Sequence, residues 1–219
     1  MNLESLIRQF REEAHDEEKP YLFSNALLTR LFNEAVDEAC RRKDLLFDDS
    51  TDSVCSISVM SGTSTYTQNP SIRTISSAYL SIDQTPLVLV TQQWMDNINP
   101  LWRFLDPDTP QYLIVNQSSV RLVPDPVVND TLKIEVFRTP LLSELMATNN
   151  SVPPISSHHH RFLYHWVMVK AFNLDDGDIF DQSKVERHSS LFNAYFGLPR
   201  DADLLQETKL NRDHRNKLW

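Results

Sequence analysis

Residues 24–59 read "SNALLTRLFNEAVDEACRRKDLLFDDSTDSVCSISV", and the fold turns on a change of period inside this stretch. Its first part sets Leu27, Leu28, Leu31, Phe32, Ala35, Val36, Ala39 and Cys40 on one stripe, the spacing of an amphipathic helix with one face turned to a core. Ser24 or Asn25 stands where an N-cap oxygen accepts an orphan amide, and Arg41, Arg42 and Lys43 suit the negative end of the helix dipole. After Phe47 the period shortens to two. Cys55, Ile57 and Val59 face one way and Ser56 and Ser58 the other, which predicts a half-buried strand.

Working outward, Leu3, Leu6, Ile7, Phe10 and Ala14 predict a first helix that ends before Pro20. Downstream, strand patterns cover 72–82, 87–90, 112–115, 120–123 and 132–137, with 116–119 as a hairpin connection. Proline clusters punctuate this region and place Trp94 and Trp102 on irregular or short helical turns between strands. Helical spacing then returns. Phe162, Leu163, Trp166, Val169 and Phe172 mark a third helix with Ser156 and Ser157 as N-caps. Val185, His188, Phe192 and Tyr195 mark a fourth, capped by Asp176 or Asp178 and ended by Gly197-Leu198-Pro199. The expected fold class is α+β: two helix pairs bracketing a small antiparallel β-sheet or sandwich insertion, with an extended C-terminal tail. The expected divisions are 1–50 for the N-terminal helix pair, 51–150 for the strand-rich middle, 151–197 for the C-terminal helix pair and 198–219 for the tail.

At 219 residues, with 41% hydrophobic and 23% charged, the chain has the composition of a globular protein that buries roughly 70% of its unfolded surface. Its 30 acids outweigh 21 bases, a formal charge of −9, which disfavours a role that grips nucleic acid by neutralising phosphates. The exception lies near the end, where Lys209, Arg212, Arg215 and Lys217 face only Asp213. Cys40 and Cys55 lie in segments of different type and read as buried thiols in a reducing cytoplasm. The acidic, amphipathic start is unlike a signal peptide and no apolar run reaches membrane-span length, so a soluble protein is expected.

The run His158-His159-His160, with His165 close behind, invites a metal site. On a helix such a site needs ligands at i and i+3 or i+4, whereas the positions four beyond the three histidines are Phe162, Leu163 and Tyr164. Three successive histidines point about 100° apart, so they read as an ordinary helix start. Asp175, Asp176, Asp178 and Asp181 suggest calcium, yet the residue five before Gly177 is Phe172 where an EF-hand loop needs Asp. His188 falls on the apolar stripe of its helix and reads as a core or interface residue. With three glycines, no phosphate loop, dinucleotide fingerprint or nucleophile elbow can be written. No catalytic residue, metal or cofactor is expected.

The order of several motifs resembles the head-to-tail adaptor (connector) proteins of tailed bacteriophages. "YLFSNALLTRLFNEAVDEACRRKDLLFDDST" is similar to their second-helix signature, with its N-x-A step and basic end. "SGTSTYTQNPSIRTISSAYL" resembles their G-T-x-x-Y strand leading into an Ile-rich one, and "VRLVPDPVVNDTLKIEVFRTP" their P-x-P, alternating strand and R-x-P pattern. Pro153, Ile155, His159, His160, Leu163 and Trp166 fall on the family's P-x-I-P, aromatic-His, Leu and aromatic positions, with Ser156 where a second proline is usual. Phe180, Lys184 and Phe192 match positions of the last family helix.

The resemblance implies a non-enzymatic structural virion protein: a ring of copies of itself, commonly dodecameric, at the head-tail neck. Its implied partners are the portal protein and a tail or nozzle protein, with viral DNA passing through the lumen without sequence-specific binding and no membrane involved. Excess acid suits a channel to which phosphates do not adhere. In the tail, Leu204, Leu205, Leu210, Leu218 and Trp219 stand among Arg212, Arg215 and Lys217, a pattern for docking onto the portal or a neighbouring subunit with Trp219 as anchor. The alternative is a solvated terminus. Other readings are another neck ring component, such as a tail tube or stopper, and a carbohydrate-binding β module stacking sugars on Trp94, Trp102 and Tyr112.

Overall fold

The structure, a computed structural model, describes residues 1–174 and 179–199. Helices α1 (Leu3–Ala14) and α2 (Asn25–Arg42) lead into β1 (Phe47–Asp48), the single-turn α3 (Asp52–Cys55), β2 (Ser56–Val59), β3 (Thr65–Thr67), β4 (Ile72–Leu80), β5 (Thr85–Pro86) and β6 (Val88–Val90). Next come α4 (Gln92–Ile98), a 3-10 turn at Trp102–Phe104, β7 (Tyr112–Val115), β8 (Ser119–Val123) and β9 (Asp130–Arg138). Three helices follow: α5 (Ser157–His160), α6 (Tyr164–Phe172) and α7 (Gln182–Phe196). The fold is α+β, as its sequence periods predict. Two units divide the described chain, a helical one of Met1–Leu46 with Thr139–Pro199 and a strand unit of Phe47–Arg138.

In the helical unit each long helix starts on a side-chain cap. Asn2 accepts from the Ser5 amide at 3.1 Å and Ser24 from the Leu27 amide at 3.2 Å, satisfying donors that the first turn leaves orphaned. The apolar stripes of α1 and α2 close over α6, which packs against α1, α2 and α7. A helix covered from several sides must be apolar around much of its circumference, and α6 accordingly buries Val167, Met168, Ala171 and Phe172 together with His165. Phe10, Phe23 and Phe172 meet edge to face in this core, with centroids 5.4 and 5.6 Å apart. Asn33 ties the returning chain to α2: its amide donates to the Met146 carbonyl and accepts from the Met146 amide, both at 2.9 Å. That exchange gives the Asn of the N-x-A step a structural task.

Three expectations for the later helices are corrected. The third helix is broken into α5 and α6, because Phe162 and Leu163 donate three residues back, to His159 and His160, and this tighter winding interrupts the α-ladder. Ser156 occupies the cap position of α5, but its hydroxyl bonds His158 Nδ1 at 2.9 Å rather than a backbone amide. The cap of α7 is Asp181, which accepts from the Lys184 amide at 3.1 Å; Asp176 and Asp178 lie outside the described residues. Gly197, at φ 91°, ends α7 in backbone that a Cβ would strain.

The strand unit holds two sheets. In one, β9 is the centre, paired on one side with β4 and on the other with β1 and then β2, while β5 extends the β4 side. Leu132, Ile134 and Val136 alternate inward along β9, and its register sets Ile134 opposite Ala78 and Leu132 opposite Leu80 and Ile57. The second sheet runs β3-β8-β7-β6. Its pairs are antiparallel except β6 with β7, which run parallel because α4 and the 3-10 turn carry the chain back to the start of the sheet.

Cys55 closes the turn of α3 instead of opening a strand, its amide bonding the Thr51 carbonyl at 2.7 Å. The cause is Asp48, whose carboxylate takes the Ser50 and Thr51 amides at 3.1 and 3.0 Å and bends the chain between β1 and β2. Arg138 Nε meets the same carboxylate at 2.5 Å, both side chains being almost wholly enclosed. The two places where the chain passes between units, at Phe47 and Arg138, are thus clamped side by side in this unit, with Phe47 and Phe137 edge to face at 5.4 Å.

Candidate functional site

A concavity of the helical unit lies along α1. Glu4, Ile7, Arg8 and Glu12 line it from the helix, Glu17 and Tyr21 from the loop that follows, and its volume is about 410 Å³. A buried ion pair holds that loop. Arg11 Nη1 donates to the Asp16 carboxylate, which also accepts from the amides of Leu22 at 2.6 Å and Phe23 at 3.3 Å. Arg11 Nη2 donates to the Phe23 carbonyl at 2.9 Å and to Asn25 Oδ1 at 2.7 Å, and its guanidinium lies 3.7 Å from the centre of the Tyr21 ring. His15, in left-handed backbone at φ 59°, ends α1 and turns the chain into this arrangement.

The cleft that results is acidic with an apolar floor. Glu4, Glu12 and Glu17 are exposed at its edges; Arg8, 3.9 Å from Glu12, is exposed as well, and Arg11 is consumed by Asp16. Ile7 is buried beneath, and Tyr21 keeps 38% of its surface open. Among residues 1–18, acids outnumber bases six to two. The charge bias was legible in the sequence, but the cleft was not, since it depends on Asp16 folding the loop back over Arg11.

The histidines serve the helical core. His160 Nε2 lies 2.8 Å from the Ile155 carbonyl and His159 Nδ1 3.1 Å from the Tyr195 hydroxyl. His165 and His188 face each other across α6 and α7, Nδ1 to Nδ1 at 2.9 Å and both buried. One ring must donate and the other accept, so both cannot be protonated at these nitrogens. Burial, with His188 and Arg187 nearby, pushes His165 down to about 4, and burial with Arg187 lowers His188 too. Among the described residues no group of three His, Cys, Asp or Glu side chains is placed to hold a metal ion.

In the strand unit, Trp102 is buried, donates from Nε1 to Asp96 at 2.8 Å, and has the guanidinium groups of Arg103 and Arg121 at 4.2 and 4.8 Å from its ring centre. Trp94 and Tyr112 pack on each other, centroids 5.8 Å apart, against Val90, Met95 and Ile114. Trp102 is thus a core residue, while Trp94 and Tyr112 are half-buried and pack against that core. Nearby, Ile98, Leu101, Phe104 and Leu105 are exposed, Phe104 to 82%. They fall at the end of α4 and in and beside the 3-10 turn, elements too short for a period in the sequence to single them out.

The docking residues expected from the sequence, Leu204, Leu205, Leu210, Arg212, Arg215, Lys217, Leu218 and Trp219, lie outside the described residues. No helix among the described residues is long and apolar enough to cross a membrane. The described surfaces carry an acidic cleft along α1 and exposed apolar side chains around the 3-10 turn. A family model described as SU10 adaptor protein matches residues 1–213, spanning both units. The chain belongs to that family of phage adaptor proteins. Comparison with curated proteins gives no match.

Proposed function

We propose that the protein is a head-to-tail adaptor that assembles as a ring, joins the portal to the tail or nozzle protein, and lines part of the channel through which viral DNA passes. The observation that carries this reading is the adaptor-family match over 1–213. Charge supports the channel role, since a body with 30 acids against 21 bases repels phosphates rather than retaining them. The exposed apolar loop at Ile98, Leu101, Phe104 and Leu105 supports contacts between copies or with a tail component. Its role is structural, without catalysis, and its place in the virion is the neck. Residues 204–219 act as the docking segment, Trp219 anchoring and Arg212, Arg215 and Lys217 steering it toward acidic surface.

Electron microscopy of the purified protein mixed with its portal complex tests the proposal. A ring of the protein seated on the portal is expected; a protein that stays a lone subunit in the presence of portal overturns it. Deleting residues 204–219 is expected to abolish that association, and unchanged binding removes the docking role.

A further inference from the structure

At one end of the strand unit several loops gather around the start of β9. The chain at 60–64 runs beside that at 124–129: the Gly62 amide donates to the Pro126 carbonyl, the Ser61 amide to Asn129 Oδ1 and the Ser61 hydroxyl to the Val127 carbonyl, each at 2.8 Å. On the other side of β9 the Ile82 amide donates to Asp130 Oδ1 at 3.2 Å, and the Asp108 amide ties a further loop to the Asp125 carbonyl at 3.0 Å. Met60 and Val127-Val128 therefore lie on joined loops, with Ile82 two strand spacings from Met60, about 10 Å. These four apolar side chains are between 47% and 62% exposed. Around them, residues 60–64, 81–84, 105–111 and 124–130 carry Asp83, Asp106, Asp108, Asp125 and Asp130 and no lysine, arginine or histidine.

We propose that this end of the strand unit docks the tail or nozzle protein through a basic surface with an apolar centre, an inference that rests on the adaptor reading above. Exposed apolar side chains within a polar rim mark protein contacts, and a rim of one sign selects a partner of the other. The same sign repels phosphate, whether of nucleic acid or of an anionic lipid surface. Another copy is a poor match. Two copies meeting end to end set aspartate against aspartate, and in the strand unit Arg103, Lys133 and Arg138 are engaged by Asp96, Asp52 and Asp48 while Arg121 lies over Trp102. The surface is also built in advance. Pro107, Pro110, Pro124 and Pro126 fix their own backbone, and the bonds between loops hold the rest, so little ordering cost falls on this side. The nine residues of β9 from Asp130 to Arg138 set this end about 26 Å from the point where the chain leaves the strand unit.

Rings assembled on the portal complex are titrated with the tail or nozzle protein of the same virion and sedimented. Native rings are expected to bind it, less tightly as salt rises. Met60→Ser with Ile82→Ser and Val128→Ser removes the apolar centre, and Asp83→Lys with Asp106→Lys inverts part of the rim; all five side chains are exposed, so both variants keep the fold, checked by circular dichroism. Each is expected to raise the Kd for the tail or nozzle protein at least tenfold (about 1.4 kcal/mol) with portal association unchanged. Native affinity in both variants, or binding indifferent to salt, overturns the assignment of this surface and leaves the adaptor reading standing. Folded variants that no longer form rings show that another copy covers this end, which also overturns it. If the native chain forms no ring on the portal, the adaptor reading fails and the inference falls with it.

Discussion

Asp16→Asn strips the charge from the buried ion pair that shapes the α1 cleft. The native carboxylate serves Arg11 and the amides of Leu22 and Phe23, and the side chains of Arg11 and Asp16 are only 8% and 4% exposed. An asparagine oxygen cannot satisfy these three donors equally, and its NH₂ group adds a donor where none is wanted. Breaking a buried pair by removing one partner costs about 3–5 kcal/mol. Arg11 keeps the Phe23 carbonyl, Asn25 and the Tyr21 ring, so the lower figure, about 3 kcal/mol, is expected. With a urea slope of about 1–3 kcal/mol/M, the helical unit's midpoint falls by ~1 M or more, read by circular dichroism at a helix-sensitive wavelength. Arg11→Met with Asp16→Leu leaves no charge stranded but orphans the Leu22 and Phe23 amides and the Phe23 carbonyl, so it regains only part of the loss. An Asp16→Asn midpoint equal to that of the native protein refutes the reasoning.

Asp48 gives a pH prediction for the strand unit. Burial raises its pKa, but bonds from Thr51, Arg138 and Ser50 outweigh that and hold the carboxyl well below the usual carboxylate range. A depressed folded value means its contribution is complete above the unfolded value of about 3.9 and is lost as pH falls toward the folded one. Asp48→Asn should therefore cost about 3–5 kcal/mol near neutrality, with the gap to the native protein narrowing in denaturant titrations below about pH 4. The His165/His188 pair acts over a higher window: the folded protein refuses protons that the unfolded chain accepts at about 6.5, so the helical unit loses stability as pH falls from there through His165's folded value of about 4. His165→Leu with His188→Leu should flatten that slope in thermal melts, and an unchanged slope contradicts the assignment. Cys40 and Cys55 are buried, and burial together with Asp48 pushes the Cys55 thiol up to about 11. A thiol reagent should leave both untouched in the native protein and label both after unfolding; rapid native labelling of either contradicts their burial.

Where a short-range pattern is sufficient, the sequence alone determined the answer. The stripe from Leu28 to Cys40 and the alternation of Leu132, Ile134 and Val136 each turn one face to a core, because side-chain direction follows backbone period whatever lies opposite. The order of motifs determined the adaptor resemblance, and the family match bears it out. Contacts between distant residues were decided only by tertiary structure. Asp48 diverts Cys55 from a strand into a helical turn, Asp181 takes the cap expected of Asp176 or Asp178, and His165 finds His188 across two helices. Asp16 likewise makes a cleft out of an acidic loop by binding Arg11 and two amides at once. A polar side chain seeks whichever partner remains once water is excluded, and which partner that is depends on the packing of segments far apart in the chain.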